Sequence, residues 1–205
     1  MKILLVGNPN VGKSALFSRF TGVDIVISNY AGTTVEFKKG HMWIGEERAE
    51  VIDVPGIYSF SAASKAEEVA TEMLKQGDIV INVVDATNLE RNLYLTMQLL
   101  EKGIPVIMAL NFWNETRHRG IQIDVKKLEE MLGIPVVPTV AITAQGVKKL
   151  VERIREAKPH LLRHDTEGHW RRIERMDRYP FCIVRDSSPV LQHTHHRRRA
   201  DRLRF

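Results

Sequence analysis

The chain has 205 residues, a formal net charge of +5, 43% hydrophobic and 27% charged residues, a globular balance that excludes a disordered, collagen-like or continuous coiled-coil chain. A single cysteine, Cys182, excludes an internal disulfide framework and a cysteine-rich zinc site, and fits a reducing compartment. No apolar run reaches the about 18 residues of a membrane helix, and the apolar start at Met1 stops at Gly7, too soon for a secretory signal, so a soluble, cytosolic chain is expected.

In chain order, residues 3–6 are a short apolar run ending in glycine, as a buried parallel strand does. Residues 13–20 have helical spacing. Residues 36–44 and 49–54 read as strands, the first amphipathic, with Phe37, His41 and Trp43 in alternation. Residues 65–75 form a helix rich in Ala and Glu, with Glu67 and Glu68 on a solvated face. Residues 79–84 are a buried strand. Residues 89–101 are a helix with Leu89, Leu93, Met97 and Leu100 on one face. Residues 104–110 are another buried strand, 125–132 a helix stopped by Gly133, 135–138 a short strand and 147–157 a last helix. Strands alternating with helices predict an α/β fold with a mainly parallel sheet flanked by helices, in which ligands bind at the carboxyl ends of the strands.

Composition shifts near Pro159. Residues 159–205 hold 11 Arg, no Lys and 6 acidic residues, whereas 1–158 balance 19 basic against 19 acidic. The expected division is a main domain over 1–158 and a basic Arg/His-rich segment over 159–205, helical or partly disordered. The neutral main domain carries no field that suggests nucleic-acid binding. His193, His195 and His196 tempt a metal-ligand reading, but the neighbouring arginines repel a cation. Cys182 reads as a packed small hydrophobe, and Trp43, Trp113 and Trp170 as core or partly exposed packing, Trp113 with a place near a bound base as the alternative.

The strand ends carry a nucleotide site. Gly7-Asn8-Pro9-Asn10-Val11-Gly12-Lys13-Ser14 fits the phosphate-loop pattern with the strand before it and the helix after it that the pattern requires. Its backbone N–H groups, continuing into Ala15, cradle phosphate at a helix N-terminus. Lys13 supplies a point charge, and the Ser14 hydroxyl is a hard oxygen suited to Mg²⁺. Asp53-Val54-Pro55-Gly56 places a carboxylate to hold a Mg²⁺-bound water and a glycine N–H for the γ-phosphate. Alone that tetrapeptide is a weak signal; after a phosphate loop it is a strong one. Between them, Ser28–Thr34 is a polar loop whose Thr33 or Thr34 can close over the second Mg²⁺ position.

Asn111-Phe112-Trp113-Asn114 and Thr143-Ala144 stand where guanine-specific GTPases carry N-K-x-D and S-A-x. Asn111 fits. Asn114 replaces the aspartate that accepts two hydrogen bonds from guanine, and an amide has one acceptor oxygen. Losing a charge-assisted bond weakens binding about 10–150-fold, so weakened GTP binding and tolerance of xanthosine nucleotides are expected.

Together these motifs resemble the N-terminal G domain of the ferrous-iron transport protein B family. The stretch Asp85-Ala86-Thr87-Asn88-Leu89-Glu90-Arg91-Asn92-Leu93-Tyr94-Leu95-Thr96 carries more of the resemblance than the phosphate loop, which many GTPases share. The likeness covers residues 1–157; 168–176 and 199–203 resemble fragments of the family's helical domain and of the segment before its first membrane helix. The resemblance implies a Ras-like P-loop GTPase fold, binding of GTP and GDP, and slow hydrolysis regulating Fe²⁺ uptake through a C-terminal transmembrane domain at the cytoplasmic face of the membrane. That domain is not in this chain, and a homo-oligomer is left open. It implies that Asn10 helps bind K⁺ beside the phosphates, that Thr34 reaches Mg²⁺ in the triphosphate state, and that Asp53 and Gly56 belong to the second switch. Asn10, Lys13, Thr34 and Gly56 are then the catalytic set. Ile57 stands where many GTPases carry a glutamine that positions water, and an apolar side chain cannot do so. Two other readings stay open: a ribosome- or RNA-associated GTPase whose basic tail contacts RNA, and a nucleotide-binding domain crippled by Asn114.

Overall fold

Apolar runs make the centre of the sheet. In the computed structural model, which describes residues 1–22, 24–159 and 183–185, β1 (Lys2–Val6), β5 (Ile79–Asp85) and β6 (Val106–Asn111) lie side by side and are buried on both faces, the state that uninterrupted Val/Ile/Leu strands require. β8 (Val136–Pro138) extends this parallel group on one side and β4 (Glu47–Asp53) on the other. β3 (Glu36–Ile44) and β2 (Val26–Asn29) complete the far edge as antiparallel strands. The order is β2-β3-β4-β1-β5-β6-β8. The chain leaves β1 toward one edge and later continues toward the other, so the strand order reverses around β1, and a ligand crevice belongs at its carboxyl end.

Side chains alternate along each strand, and the two faces feed two cores. Ile3, Leu5, Ile81 and Ile107 pack against Leu16 and Phe17 of α1 (Lys13–Thr21) and Leu150 of α6 (Val147–Arg153). Leu4, Val6, Val80 and Met108 pack against α2 (Lys65–Leu74), α3 (Leu89–Glu101) and α5 (Val125–Leu132). On α3 the expected face of Leu89, Leu93, Met97 and Leu100 is buried, joined by Leu95 and Leu99. Asp124 accepts a hydrogen bond from the Lys127 N–H to start α5, and Gly133 ends it at φ 66°.

A polar thread crosses this core. Asn82 donates to the Val6 carbonyl at 3.4 Å and accepts from Thr96 at 2.6 Å; Asn92 then ties to Asn88 and Asp85, and Asp85 accepts from Thr87 and Asn88. The polar groups from Asp85 to Thr96 thus satisfy one another, with Asn82, Thr87, Asn92 and Thr96 buried, and fix α3 to the end of β1.

Several elements differ from the sequence reading. β2, α4 (Trp113–His118) and β7 (Ile121–Ile123) form where none was expected. Each is short, and each is held by a partner outside itself: β2 by the antiparallel β3 that follows it, α4 by the Trp113 N–H donating to the Thr139 carbonyl at 3.2 Å, β7 by β9 (Ile183–Arg185). On β3 the buried face is Gly40, Met42 and Ile44, while His41 and Trp43 point outward, Trp43 being 65% exposed. Glu67 is buried rather than solvated; Glu68 is exposed and pairs with Lys65. Trp113 is partly buried against the core. Apart from Pro159 and the backbone of β9, the expectations for 159–205, including its helical character, Trp170, Cys182 and the three late histidines, lie outside the described residues. Among the described residues no helix is long and apolar enough to cross a membrane, and no cluster of His, Cys, Asp or Glu could hold a metal ion.

Candidate nucleotide-binding site

Residues 7–12 turn tightly between β1 and α1, with Asn10 at φ 65° and Gly12 at φ 88°. A Cβ on Gly12 would sit 2.3 Å from Asn111 Nδ2, so the loop presses on that side chain and only glycine fits. Asn111, 1% exposed, clamps the site. Its Nδ2 donates to the Val11 carbonyl at 2.9 Å, and its Oδ1 accepts from the Ala141 N–H at 3.0 Å and from Thr139 Oγ1 at 3.4 Å. One buried amide at the end of β6 thereby joins the phosphate loop to the loop that carries Thr143 and Ala144.

Lys13 and Asp53 are both nearly buried, 9% and 8% exposed. Burial pushes the Lys13 ammonium below its ordinary pKa, against the attraction of Asp53. Burial likewise pushes the Asp53 carboxyl up, opposed by Lys13, by the hydrogen bond from Ser14 and by Lys38. Two charges held at the expense of their hydration are poised for a ligand that carries both signs. Ser14 Oγ donates to Asp53 Oδ2 at 2.9 Å. Asp53 Oδ1 and Asn8 Oδ1 are buried without a hydrogen-bond partner, an arrangement that calls for a ligand. Gly56 lies directly over the loop: a Cβ there would stand 3.3 Å from Lys13 Nζ and 3.1 Å from Pro9 Cα. The Ile57 N–H donates to the Gly7 carbonyl at 3.3 Å, and the Ile57 side chain is buried, so it is a core contact that presents nothing to water.

The structure therefore gathers Gly7, Gly12, Lys13, Ser14, Asp53, Gly56 and Asn111 into one crevice. Asn10 and Ala15 are exposed on the rim. Thr34 is exposed at a separate turn. That turn is closed by Thr33, whose hydroxyl donates to the Tyr30 carbonyl and accepts from the Val35 N–H, so Thr33 is the structural hydroxyl and Thr34 the unused one. Asn114 is exposed in the first turn of α4, and its Nδ2 donates to Glu115 Oε1. Thr143 and Ala144 are exposed; Ala144 holds φ 61° and donates its N–H to the Ala141 carbonyl.

Three residues of the site were not read from the sequence. Arg19 reaches from α1 to the carbonyls of Ala141 and Ile142, tying that loop to the helix that begins at the phosphate loop. Glu67 accepts from Ser59, Ser61 and the Ala63 N–H and fixes the segment after Gly56. Burial alone would raise its pKa, but these bonds, with one from the Ser64 backbone, hold it below the ordinary value. The Ser64-x-x-Glu67 spacing, a capping pattern, is the sequence signal that could have pointed to it. Glu115, beside Asn114, is the third.

The likeness to known proteins follows the same residues. Residues 1–154 match the family model described as ferrous iron transport protein B. An Fe(2+) transport protein A/Fe(2+) transporter FeoB fusion protein of Porphyromonas gingivalis is 45% identical over 157 residues, 75% of this chain and 19% of that protein. The Fe(2+) transporter FeoB of Salmonella typhimurium is 44% identical over 156 residues, 73% of this chain and 20% of the transporter. A GDP-bound variant of the S. thermophilus FeoB G-domain superposes with TM-score 0.74 at 45% identity, covering 78% of this chain and 62% of that one. The cytosolic domain of L. pneumophila FeoB gives TM-score 0.74 at 41% identity, covering 78% and 70%. The chain spans about a fifth of the length of the curated relatives it matches. The sheet is that of these P-loop G domains, and with three quarters of its residues inside the family match, the chain belongs to the ferrous iron transport protein B family.

Proposed function

We propose that residues 1–158 bind GTP and hydrolyse it slowly, and that the reaction regulates Fe²⁺ passage through a membrane domain of the whole transporter. The observation that carries this reading is the buried Lys13 and Asp53, with Ser14 hydrogen-bonded to Asp53, under Gly56 at the switch point of the sheet. A polyphosphate laid along residues 7–15 gives Lys13 the anionic partner its burial withholds and restores its charge. The backbone N–H groups of the loop and of Gly56 aim at phosphate oxygens, so they stabilise charge where it develops. Ser14 Oγ and the unpartnered Asp53 oxygen are hard donors of the kind that would hold Mg²⁺, which would supply positive charge to offset that of the phosphates. Thr34 closes on the same position only by leaving its present turn. Asn10, exposed on the rim, offers an amide oxygen for K⁺, which would act there as an arginine finger does elsewhere. Buried Ile57 leaves the orientation of water to backbone groups, and for that reason turnover is slow.

Phosphate release from GTP, measured in K⁺ and in Na⁺ with the wild-type chain and Asn10→Ala, tests this. Turnover that rises in K⁺ and loses that rise in Asn10→Ala is expected. Indifference to the monovalent ion would remove the role of Asn10. Absence of GTP binding would remove the whole reading.

A further inference from the structure

The residue standing where guanine-specific sites carry an aspartate is Asn114, and its amide is not alone. Asn114 Nδ2 donates to Glu115 Oε1 at 2.6 Å, which fixes the amide plane and brings a carboxylate within one hydrogen bond of it. Glu115 is half-buried, and its backbone is set in the first turn of α4, the N–H donating to the Phe112 carbonyl at 2.9 Å and the carbonyl accepting from the Arg119 N–H at 3.1 Å. α4 hangs from the Thr139 carbonyl through the Trp113 N–H, beside the Asn111 clamp. The pair thus stands just past the end of β6, whose Asn111 is hydrogen-bonded to the phosphate loop.

We propose that Asn114 and Glu115 together do the work of the missing aspartate, making Glu115 a specificity residue for guanine; this rests on the nucleotide reading above. Guanine presents two donors on one edge, the ring N1–H and the exocyclic 2-amino group. Asn114 Oδ1 accepts from N1–H. The Glu115 carboxylate supplies the negative charge and the second acceptor for the 2-amino group. Hypoxanthine lacks that amino group. Xanthine carries a carbonyl oxygen there and is itself anionic near neutral pH, so a carboxylate at this distance repels it. An unaccompanied amide would admit xanthine; the neighbouring carboxylate turns the preference back to guanine.

The test is calorimetric titration of the chain with GDP, IDP and XDP. The wild type is expected to prefer GDP to both others. Glu115→Gln keeps the shape and removes the charge, so the GDP-over-IDP preference should fall about tenfold while XDP binding strengthens. In Asn114→Asp/Glu115→Gln, where the carboxylate returns one position earlier, the GDP preference should reappear. A Glu115→Gln chain that binds GDP with the wild-type ratios would overturn the proposal and leave the nucleotide reading intact. Equal wild-type affinity for GDP and IDP would overturn it without any variant. A wild-type chain that binds none of the three would overturn both.

Discussion

Asn111 shows how much one side chain carries. Its three hydrogen bonds satisfy a carbonyl of the phosphate loop and donors of the base-side loop, all out of reach of water. Asn111→Ala strands the Val11 carbonyl and the Ala141 N–H, and a buried orphan group costs about 1–3 kcal/mol. Urea unfolding is expected to show a loss of that size for each, together with weaker GDP binding, because the two loops then move independently. The sequence motif identified Asn111 as part of base recognition; its role as a brace needed the distances, since the two loops it joins lie far apart in the chain.

At the scale of elements, the segment after Gly56 depends on one carboxylate at the start of α2. Glu67 is held below its ordinary pKa of 4.5. A depressed carboxyl adds stability that is present above the unfolded value and is lost as pH falls through the folded one. Protection of the amides of residues 59–63, relative to the exchange of an unstructured chain at the same pH, is therefore expected to be high at neutral pH and to fall below about pH 4.5; Glu67→Gln should show the low protection already at neutral pH. Legibility in the sequence followed the same local logic. β1, β5, β6 and α3 were readable because uninterrupted apolar runs and a repeating helical face are burial written into composition. The phosphate loop was readable because its glycines answer to backbone geometry. Glu67 was misread because its bonding partners Ser59, Ser61 and Ala63 lie in an irregular segment with no period. β2 and α4 escaped because pairing with β3 and the contact with the Thr139 carbonyl hold them, not their own propensity.

For the molecule as a whole, the crevice sits where two cores meet across the sheet, so a ligand there acts on both. A nucleotide that binds only the folded state adds about 2.7 kcal/mol of stability at 100 times its dissociation constant. Thermal unfolding of the wild-type chain is expected to shift upward with rising GDP, and Lys13→Ala should abolish the shift. At one margin of the sheet, among the described residues, β2 pairs with β3 alone. Its residues Val26 and Ile27 are 61% and 62% exposed, and its register with β3 runs from Val26 opposite Lys39 to Asn29 opposite Glu36. Such a margin behaves like a hem: it can be unpicked rung by rung, water taking each freed amide, with neither core opened. Thr34 lies on the turn at the end of that hem, and so, in the proposed closure of Thr34 toward Mg²⁺, the stretch that travels is the one whose departure disturbs the least.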